Sequence, residues 1–495
     1  MNDPLPPTPS REGRGSSPGP TAIFLTLATL LGLALRLRGL WDAELTYDEG
    51  ATWYFAGLSL PALWGPGARL ETNPPLFYAL AHVVRAIGAT AEDERLLSVA
   101  AGTACIPLTF LLAARIGGRF AGVGAALLVA VSAASIGMGQ DARAYAMLSV
   151  AGLAALLAVR RVLDGGGMLA WAWYVVAALA ALYLHNTAVL LVAACNGAFF
   201  AAWLPRRPAE LLWRWGLANA VVLVGWLPWA GLVLEQARHA LAHFWLARPT
   251  LSDFRYEVFN TFAVRFLDMA QPFADLAVLG LLAFGVFATR RAPFARALAV
   301  CVLVGVPLAS FAVSQWRPIL NGKTLLWLVP VGLTFVAVGC AALPRWRLAA
   351  LGGVLALHLL ATGQFFHARA PEGTIATVEF LTRAAGAEDA LVLAPRFLAF
   401  MLAYQGLPPG SLPAYAMGDA APWFPDAAAP SLSPEDALAR LRTFPRVWLA
   451  VRGQPEVARA LSERLDCAFV RTDIALPPGA VRLLRFERRA APSCG

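Results

Sequence analysis

Charge is scarce in this chain. Of its 495 residues only 14% are Asp, Glu, Lys or Arg, where a soluble globular domain usually carries about 25%. Lysine is almost missing: Lys323 stands alone, so the formal charge of +9 is nearly all arginine. Cysteine and histidine number six each, and the cysteines are too scattered for a zinc site. These shortages exclude disordered, fibrous and disulfide-scaffold classes. What abounds is apolar: 58% of residues are hydrophobic and the mean hydropathy is +0.60. They gather in runs of about 20 residues, the length that crosses a bilayer. The chain reads as an all-α polytopic membrane protein.

The basic balance does not point to nucleic acid, because the arginines collect at the ends of apolar runs, as on the cytoplasmic side of membrane proteins. Eleven runs read as spans, at 21–40, 97–114, 120–138, 144–159, 168–184, 187–204, 215–234, 272–289, 297–314, 324–342 and 348–366. The stretch 75–88 has only 14 residues, with His82 and Arg85 among them, and reads as an interfacial helix. Left on the surface, it places Arg115/Arg119, Arg160/Arg161, Arg206/Arg207/Arg214, Arg290/Arg291/Arg296 and Arg345/Arg347 in short cytoplasmic turns. The N-terminus is then cytoplasmic and the C-terminus outside. Residues 1–20, rich in Pro, Ser and Gly, read as a disordered tail. No small-residue cleavage site follows the first run, which reads as a retained helix.

On that orientation the membrane domain is 21–366, and the outer face receives loops 41–96 and 235–271 and the segment 367–495. In that segment β-like runs (390–394, 447–451, 481–486) alternate with helical stretches (374–385, 434–441, 455–465), the pattern of a small extracytoplasmic α/β domain. Cys467 and Cys494 lie there and could pair in an oxidising compartment. Cys105, Cys195, Cys301 and Cys340 fall in apolar helices as packing residues. There is no convincing internal repeat, which counts against a transporter built from duplicated halves.

The candidate chemistry lies on the outer side. Asp48 and Glu49 stand adjacent just beyond the first span, either a solvated turn or a functional pair. In a cleft, such a carboxylate can act as general base on an acceptor hydroxyl or hold a divalent ion beside a phosphate. The loop closes on Glu71-Thr72-Asn73-Pro74-Pro75-Leu76-Phe77-Tyr78, whose tandem prolines stiffen a turn into a helix. The next outer turn, Gln140-Asp141-Ala142-Arg143-Ala144-Tyr145, offers Arg143 as a fork of donors for phosphate and Asp141 to orient it or join the carboxylates. His185 ends another span, where a histidine is usually structural. The turn from Gln315 to Thr324 carries Arg317 and Lys323 on the face where the charge rule disfavours cations, and an anionic lipid headgroup suits it. No phosphate-cradling glycine loop sits between a strand and a helix.

Taken in order, these segments resemble the membrane glycosyltransferases of the GT-C fold, in particular the family 39-like group related to protein O-mannosyltransferases and lipid A aminoarabinose transferases. The matching pieces are Leu35-Arg36-Leu37, Asp48-Glu49, Asn73-Pro74-Pro75-Leu76-Phe77-Tyr78, Glu94-Arg95-Leu96-Leu97-Ser98, Gln140 to Tyr145, and Arg317-Pro318 with Lys323-Thr324 and Pro330. They cover about residues 21–345. The resemblance implies an enzyme of a bacterial inner membrane. It would move a monosaccharide, hexosyl or pentosyl, from a polyprenyl-phosphate carrier to a lipid, glycan or protein acceptor on the outer face, with inversion. It further implies Asp48 as general base and Glu49 as a residue that positions the acceptor or tunes that base. One carboxyl of the pair is expected to have a raised pKa. Arg143, Lys323 and Arg317 would hold the donor phosphate, supported by Asp141, Tyr145 and His185. Some relatives need a divalent cation such as Mg or Mn, which Asp48 and Asp141 could share. Lys323 replaces an arginine common in relatives, keeping the charge and losing the bidentate fork.

Three other readings stand beside this one. A transporter or flippase of lipid-linked sugar would carry charges near the bilayer midplane, whereas here they cluster at one face. An oligosaccharide ligase or polymerase would need a larger outer cavity. An inactive member would use its outer domain as a binding module.

Overall fold

The computed structural model describes residues 19–490 apart from 66, 68–70, 72, 206–207, 244–247, 266, 268–269, 369–370, 408–410, 418–420 and 425–426. The N-terminal tail and Cys494 lie outside these residues; Cys467 is disulfide-bonded and Cys105, Cys195, Cys301 and Cys340 are free. Among the described residues eight helices are long and apolar enough to cross a membrane, and Met168–Leu184 and Ala188–Trp203 are shorter apolar helices. The protein is a polytopic membrane protein.

The longest helix, Arg95–Val131, is interrupted at Gly118, whose φ of 82° lies in the left-handed region that glycine enters without steric cost. A Cβ on Gly122 would meet Phe110 and Ala114, residues about 12 Å or more away along a straight helix. The chain therefore doubles back at Gly118 as an antiparallel pair. Ser132 caps the next helix, Ala133–Gln140, through its hydroxyl. The helix ends bearing Arg115, Arg119, Arg160 and Arg161 are those remote from the turn that holds Arg143.

Helix packing here uses small residues and a few polar ties, because lipid offers helices no hydrophobic reason to associate. Only 17% of the Pro20–Leu37 span is buried, against 83% of Gly322–Ala341, which is the central helix. Gly285 and Gly339 face one another across Gln271–Ala288 and Val329–Ala341 so closely that neither tolerates a Cβ. Arg36 is fully buried beside Gly102 and Gly139. It donates to the carbonyls of Gly32 at 2.9 Å, Val129 at 3.2 Å and Ser135 at 3.3 Å.

The C-terminal domain is a mixed sheet with helices on both faces. Its strands are β1 (Ala390–Ala394), β2 (Ala414–Met417), β5 (Ser431–Leu432), β6 (Arg446–Arg452), β7 (Phe469–Ile474) and β8 (Val481–Arg488), in the order β5-β2-β1-β6-β8-β7, with a separate hairpin β3 (Ala421–Phe424) and β4 (Ala427–Ala429). β1 runs parallel to β2 and β6, and β8 antiparallel to β6 and β7. Alternate residues serve the two faces. Leu391, Leu393, Trp448 and Leu483 pack with Thr374–Ala384 and Leu398–Tyr404. Val392, Leu449, Leu484 and Phe486 pack with Ala437–Leu441 and Pro455–Leu465. All five residues of β1 are buried, as a strand covered on both faces must be.

Candidate active site

Beyond the first span the chain folds into a short helix, Tyr47–Ala56, whose start is fixed by a capping box: the Thr46 hydroxyl accepts from the Glu49 amide and the Glu49 carboxylate accepts from the Thr46 amide. Glu49 is 1% exposed. It also accepts from Arg95 Nε at 2.7 Å, Arg95 Nη2 at 2.9 Å and the Ala142 amide at 2.9 Å. Burial disfavours its charge, but the hydrogen bonds and charge of Arg95 and the two amides hold its pKa below the ordinary value. Arg95 donates as well to the carbonyls of Leu40, Ala43 and Glu44. One carboxylate of the pair thus ties the loop helix to the second span and to the turn at 142.

The other is partly exposed. Asp48 forms an ion pair with Lys323, and the two side chains are 27% and 47% exposed. Arg143 is buried alongside. Its Nη1 donates to the Asp48 carbonyl at 3.2 Å, Thr52 Oγ1 at 3.4 Å and the Tyr78 hydroxyl at 3.1 Å. Because all three bonds use Nη1, its Nη2 and Nε have no partner among the described residues and remain for another acceptor. Thr52 in turn donates to the Ala142 carbonyl at 2.9 Å, and Ser98 to the Arg143 carbonyl at 3.1 Å. Burial opposes ionisation of Asp48, yet Arg143 and Lys323 outweigh it and keep the carboxyl below its usual range. Asp141 differs: burial, reinforced by Glu49 and Asp48 and opposed by Lys323 and Arg143, raises it to about 7. Its Oδ1 is buried without a hydrogen-bond partner.

The expectation that one of Asp48 and Glu49 is raised therefore does not hold, because each has cationic partners of its own; the raised carboxyl is Asp141. Asp48, Arg143, Lys323 and Asp141 come together, with the Tyr145 ring 5.9 Å from Lys323 Nζ. His185 packs 5.7 Å from Tyr145. Burial, with Arg143 nearby, lowers it to about 4, so it is neutral at pH 7. Its Nδ1 accepts from the Thr187 amide at 3.2 Å. Arg143, Tyr145, His185 and the Asn73-Pro74 turn line a small cavity of about 10 Å³, room for about one water. Arg317 sits six residues before Lys323 and lines neither this cavity nor the larger one beside Lys323. Among the described residues no group of three or more His, Cys, Asp or Glu is placed to hold a metal ion, and Lys323 already occupies the Asp48 carboxylate.

The C-terminal domain grips the same helix. Tyr47 packs on Phe397 at 5.9 Å, Tyr54 stacks on Phe400 at 4.6 Å and Trp53 meets Tyr404 at 5.6 Å. Glu44 accepts from the Thr374 amide at 3.0 Å and its hydroxyl at 2.9 Å. Arg452, paired with Glu372 at 2.7 Å, lies 5.4 Å from the Tyr47 ring.

No family model and no curated protein matches the sequence. Solved structures do match the fold. ArnT from Cupriavidus metallidurans in the apo state has a TM-score of 0.62 at 14% identity, with 93% of this chain and 97% of that one covered. The same protein bound to undecaprenyl phosphate gives 0.59, 14%, 94% and 97%. These, with the oligosaccharyltransferase below, decide the architecture. The chain has the GT-C fold. The Archaeoglobus fulgidus oligosaccharyltransferase, in complex with Zn and sulfate, aligns at a TM-score of 0.55 and 13% identity over 92% of this chain and 73% of its own. The mycobacterial arabinofuranosyltransferase AftD aligns at 0.54 and 16% over 95% of this chain, which spans only 40% of AftD. Coverage of 94% leaves too few residues unmatched for the sheet domain to lie outside, so the GT-C likeness extends beyond residue 345 into the C-terminal segment.

Proposed function

We propose that this protein transfers a monosaccharide from a polyprenyl-phosphate carrier to an acceptor hydroxyl or phosphate on the outer face of a bacterial inner membrane, with inversion. The N-terminus is cytoplasmic in this reading, and the acceptor is a cell-envelope lipid, a glycan or a protein. The observation that carries it is a partly exposed carboxylate, Asp48, flanked by two cations, Lys323 and Arg143. A base beside two cations is what transfer from a lipid phosphate needs, and an undecaprenyl-phosphate-bound ArnT shares the fold.

The acceptor oxygen attacks the anomeric carbon from the face opposite the lipid phosphate. The new carbon–oxygen bond forms as the bond to the phosphate oxygen breaks, and the departing polyprenyl phosphate keeps that electron pair. Arg143, through its uncommitted Nη2 and Nε, and Lys323 stabilise the charge that develops on it. With a hydroxyl acceptor, Asp48 takes the proton; a pKa below the usual range keeps it ionised at neutral pH. A phosphate acceptor arrives already ionised and needs no base. Glu49 acts through Arg95 and the Ala142 amide to hold Asp48 and Arg143 in register. Tyr145 and His185 wall the donor phosphate, and Arg317 contributes to the basic outer turn.

The test is release of polyprenyl phosphate by purified protein given hexose, pentose and amino-sugar donors with an envelope extract as acceptor. Asp48→Asn should lower turnover by about 10²–10⁴-fold, the usual worth of a general base, without moving the thermal midpoint. Equal turnover in the variant would remove Asp48 from the mechanism.

A further inference from the structure

A second cavity opens beside Lys323. Its volume is about 290 Å³, and it lies between the outer helix Leu251–Phe262 and the start of the central helix at Gly322–Leu325. Tyr256, Glu257, Asn260 and Arg265 line one side, Gly322 and Lys323 the other. Asn260 Nδ2 is buried without a hydrogen-bond partner. A buried donor left unsatisfied costs roughly 1–3 kcal/mol, and Asn260 lines the cavity, so turning its amide toward an acceptor that enters there relieves that cost. The Glu257 carboxylate reaches across toward the central helix, since a Cβ on Gly322 would come within 2.9 Å of its Oε2.

These groups suit one kind of occupant. A carboxylate accepts two O–H donors, the Asn260 amide donates to a hydroxyl or ring oxygen, and Tyr256 supplies a flat apolar ring. A polyprenyl tail offers Asn260 no acceptor. Glu257 disfavours a phosphate set against it, and of the cations lining the cavity, Arg265 and Lys323, it is Lys323 at the rim that adjoins Asp48. The volume falls at the bottom of the usual ligand range of about 300–1,000 Å³, which suits one sugar ring and is too small for an oligosaccharide.

We infer that this cavity is the sugar subsite of the donor: it holds a single glycosyl unit, with Glu257 and Asn260 on its hydroxyls, while Lys323 at the rim holds the phosphate. The inference rests on the transferase reading above and adds a place and a size limit for the sugar.

The test is binding by the purified full chain in detergent to four probes: undecaprenyl phosphate alone, and undecaprenyl phosphate carrying a hexose, a pentose or an amino sugar. Wild type should bind at least one glycosylated probe about tenfold more tightly than the bare phosphate, the worth of one or two hydrogen bonds. Asn260→Leu and Glu257→Gln should each erase that margin and leave affinity for the bare phosphate unchanged. Gly322→Ala, which must push the Glu257 carboxylate aside, should narrow the margin with no change in thermal midpoint. A margin that survives both cavity substitutions overturns the inference, as do equal wild-type affinities for all four probes. A uniform loss across the probes in both variants assigns the cavity to lipid or phosphate and also overturns it. Wild type that binds none of the four instead overturns the transferase reading, before any variant is measured.

Discussion

The helical bundle and the sheet domain are held together by opposite means. In the bundle, specificity comes from small residues and polar ties. Tyr174 and Asn196 both donate to Asn219, at 2.9 and 3.0 Å, Trp215 donates to Asn196 at 2.8 Å, and Arg36 is bound by carbonyls. In the domain, two apolar layers close on a sheet and water itself supplies the driving force. The helix Tyr47–Ala56 stands where the two regimes meet. Glu49 is fastened to the bundle by a buried ion pair, and Tyr47 and Tyr54 are fastened to the domain by aromatic packing. The difference teaches that Asp48 is positioned rigidly from below and by broad, forgiving contact from above.

Substitutions on each side can break or sharpen that contrast. The largest effect is expected from Arg95→Leu, which leaves the Glu49 charge buried and unpaired. Loss of one partner of such a pair costs about 3–5 kcal/mol, so the thermal midpoint and transfer should fall together. An unchanged midpoint would show that the loop helix does not depend on this tie. Arg452→Ala should do much less. Its pair with Glu372 is partly open, the side chains being 31% and 14% exposed, and such pairs contribute about 1 kcal/mol or less. Turnover measured beside Arg95→Leu should drop only a few-fold; an equal collapse would mean that the domain sets the site as firmly as the bundle.

The smallest expected effect on turnover is one of pH dependence. Asp141 is raised to about 7 from an unfolded value of about 3.9, so the folded state binds the extra proton. Its contribution to stability is full below about pH 4 and is lost as pH rises through 7. Asp141→Asn should flatten the thermal midpoint between those limits and remove any inflection near 7 from the rate profile. Asp48, held low, should leave that window unchanged; an inflection that persists in Asp141→Asn would assign it to another group.

The architecture was legible because spans announce themselves by length and hydropathy: the apolar runs fall on helical segments, 120–138 on two that meet at Ser132, and the tail strands at 390–394, 446–452 and 481–488 fall on its β-like runs. The two-residue strand Ser431–Leu432 and the loop helix Tyr47–Ala56 were not, since their burial comes from distant segments rather than from their own periodicity. Of the site, the residue types were legible and their pairings were not. Lys323 lies 275 residues from Asp48, and nothing local marks it as that carboxylate's partner. Arg95 was legible within Glu94-Arg95-Leu96-Leu97-Ser98 but not as the partner of Glu49, which it neutralises from 46 residues away. The same separation explains the reversed pKa expectation: adjacency in sequence suggested two coupled carboxylates, while the fold gave each its own cations and left Asp141 without a hydrogen bond on one oxygen.

Arg36 carries a consequence for how the chain is made. Its downstream carbonyl partners, Val129 and Ser135, follow it by 93 and 99 residues. At a synthesis rate of about 5–20 residues per second, the first helix waits roughly 5–20 s before those partners exist. During that interval a guanidinium near the end of an otherwise apolar segment has only Gly32, on its own helix, to bind. It must then reach for water at the membrane surface, and it is drawn inward only when the hairpin that turns at Gly118 arrives. Assembly of the bundle thus has a direction: the first helix enters early and is sealed late.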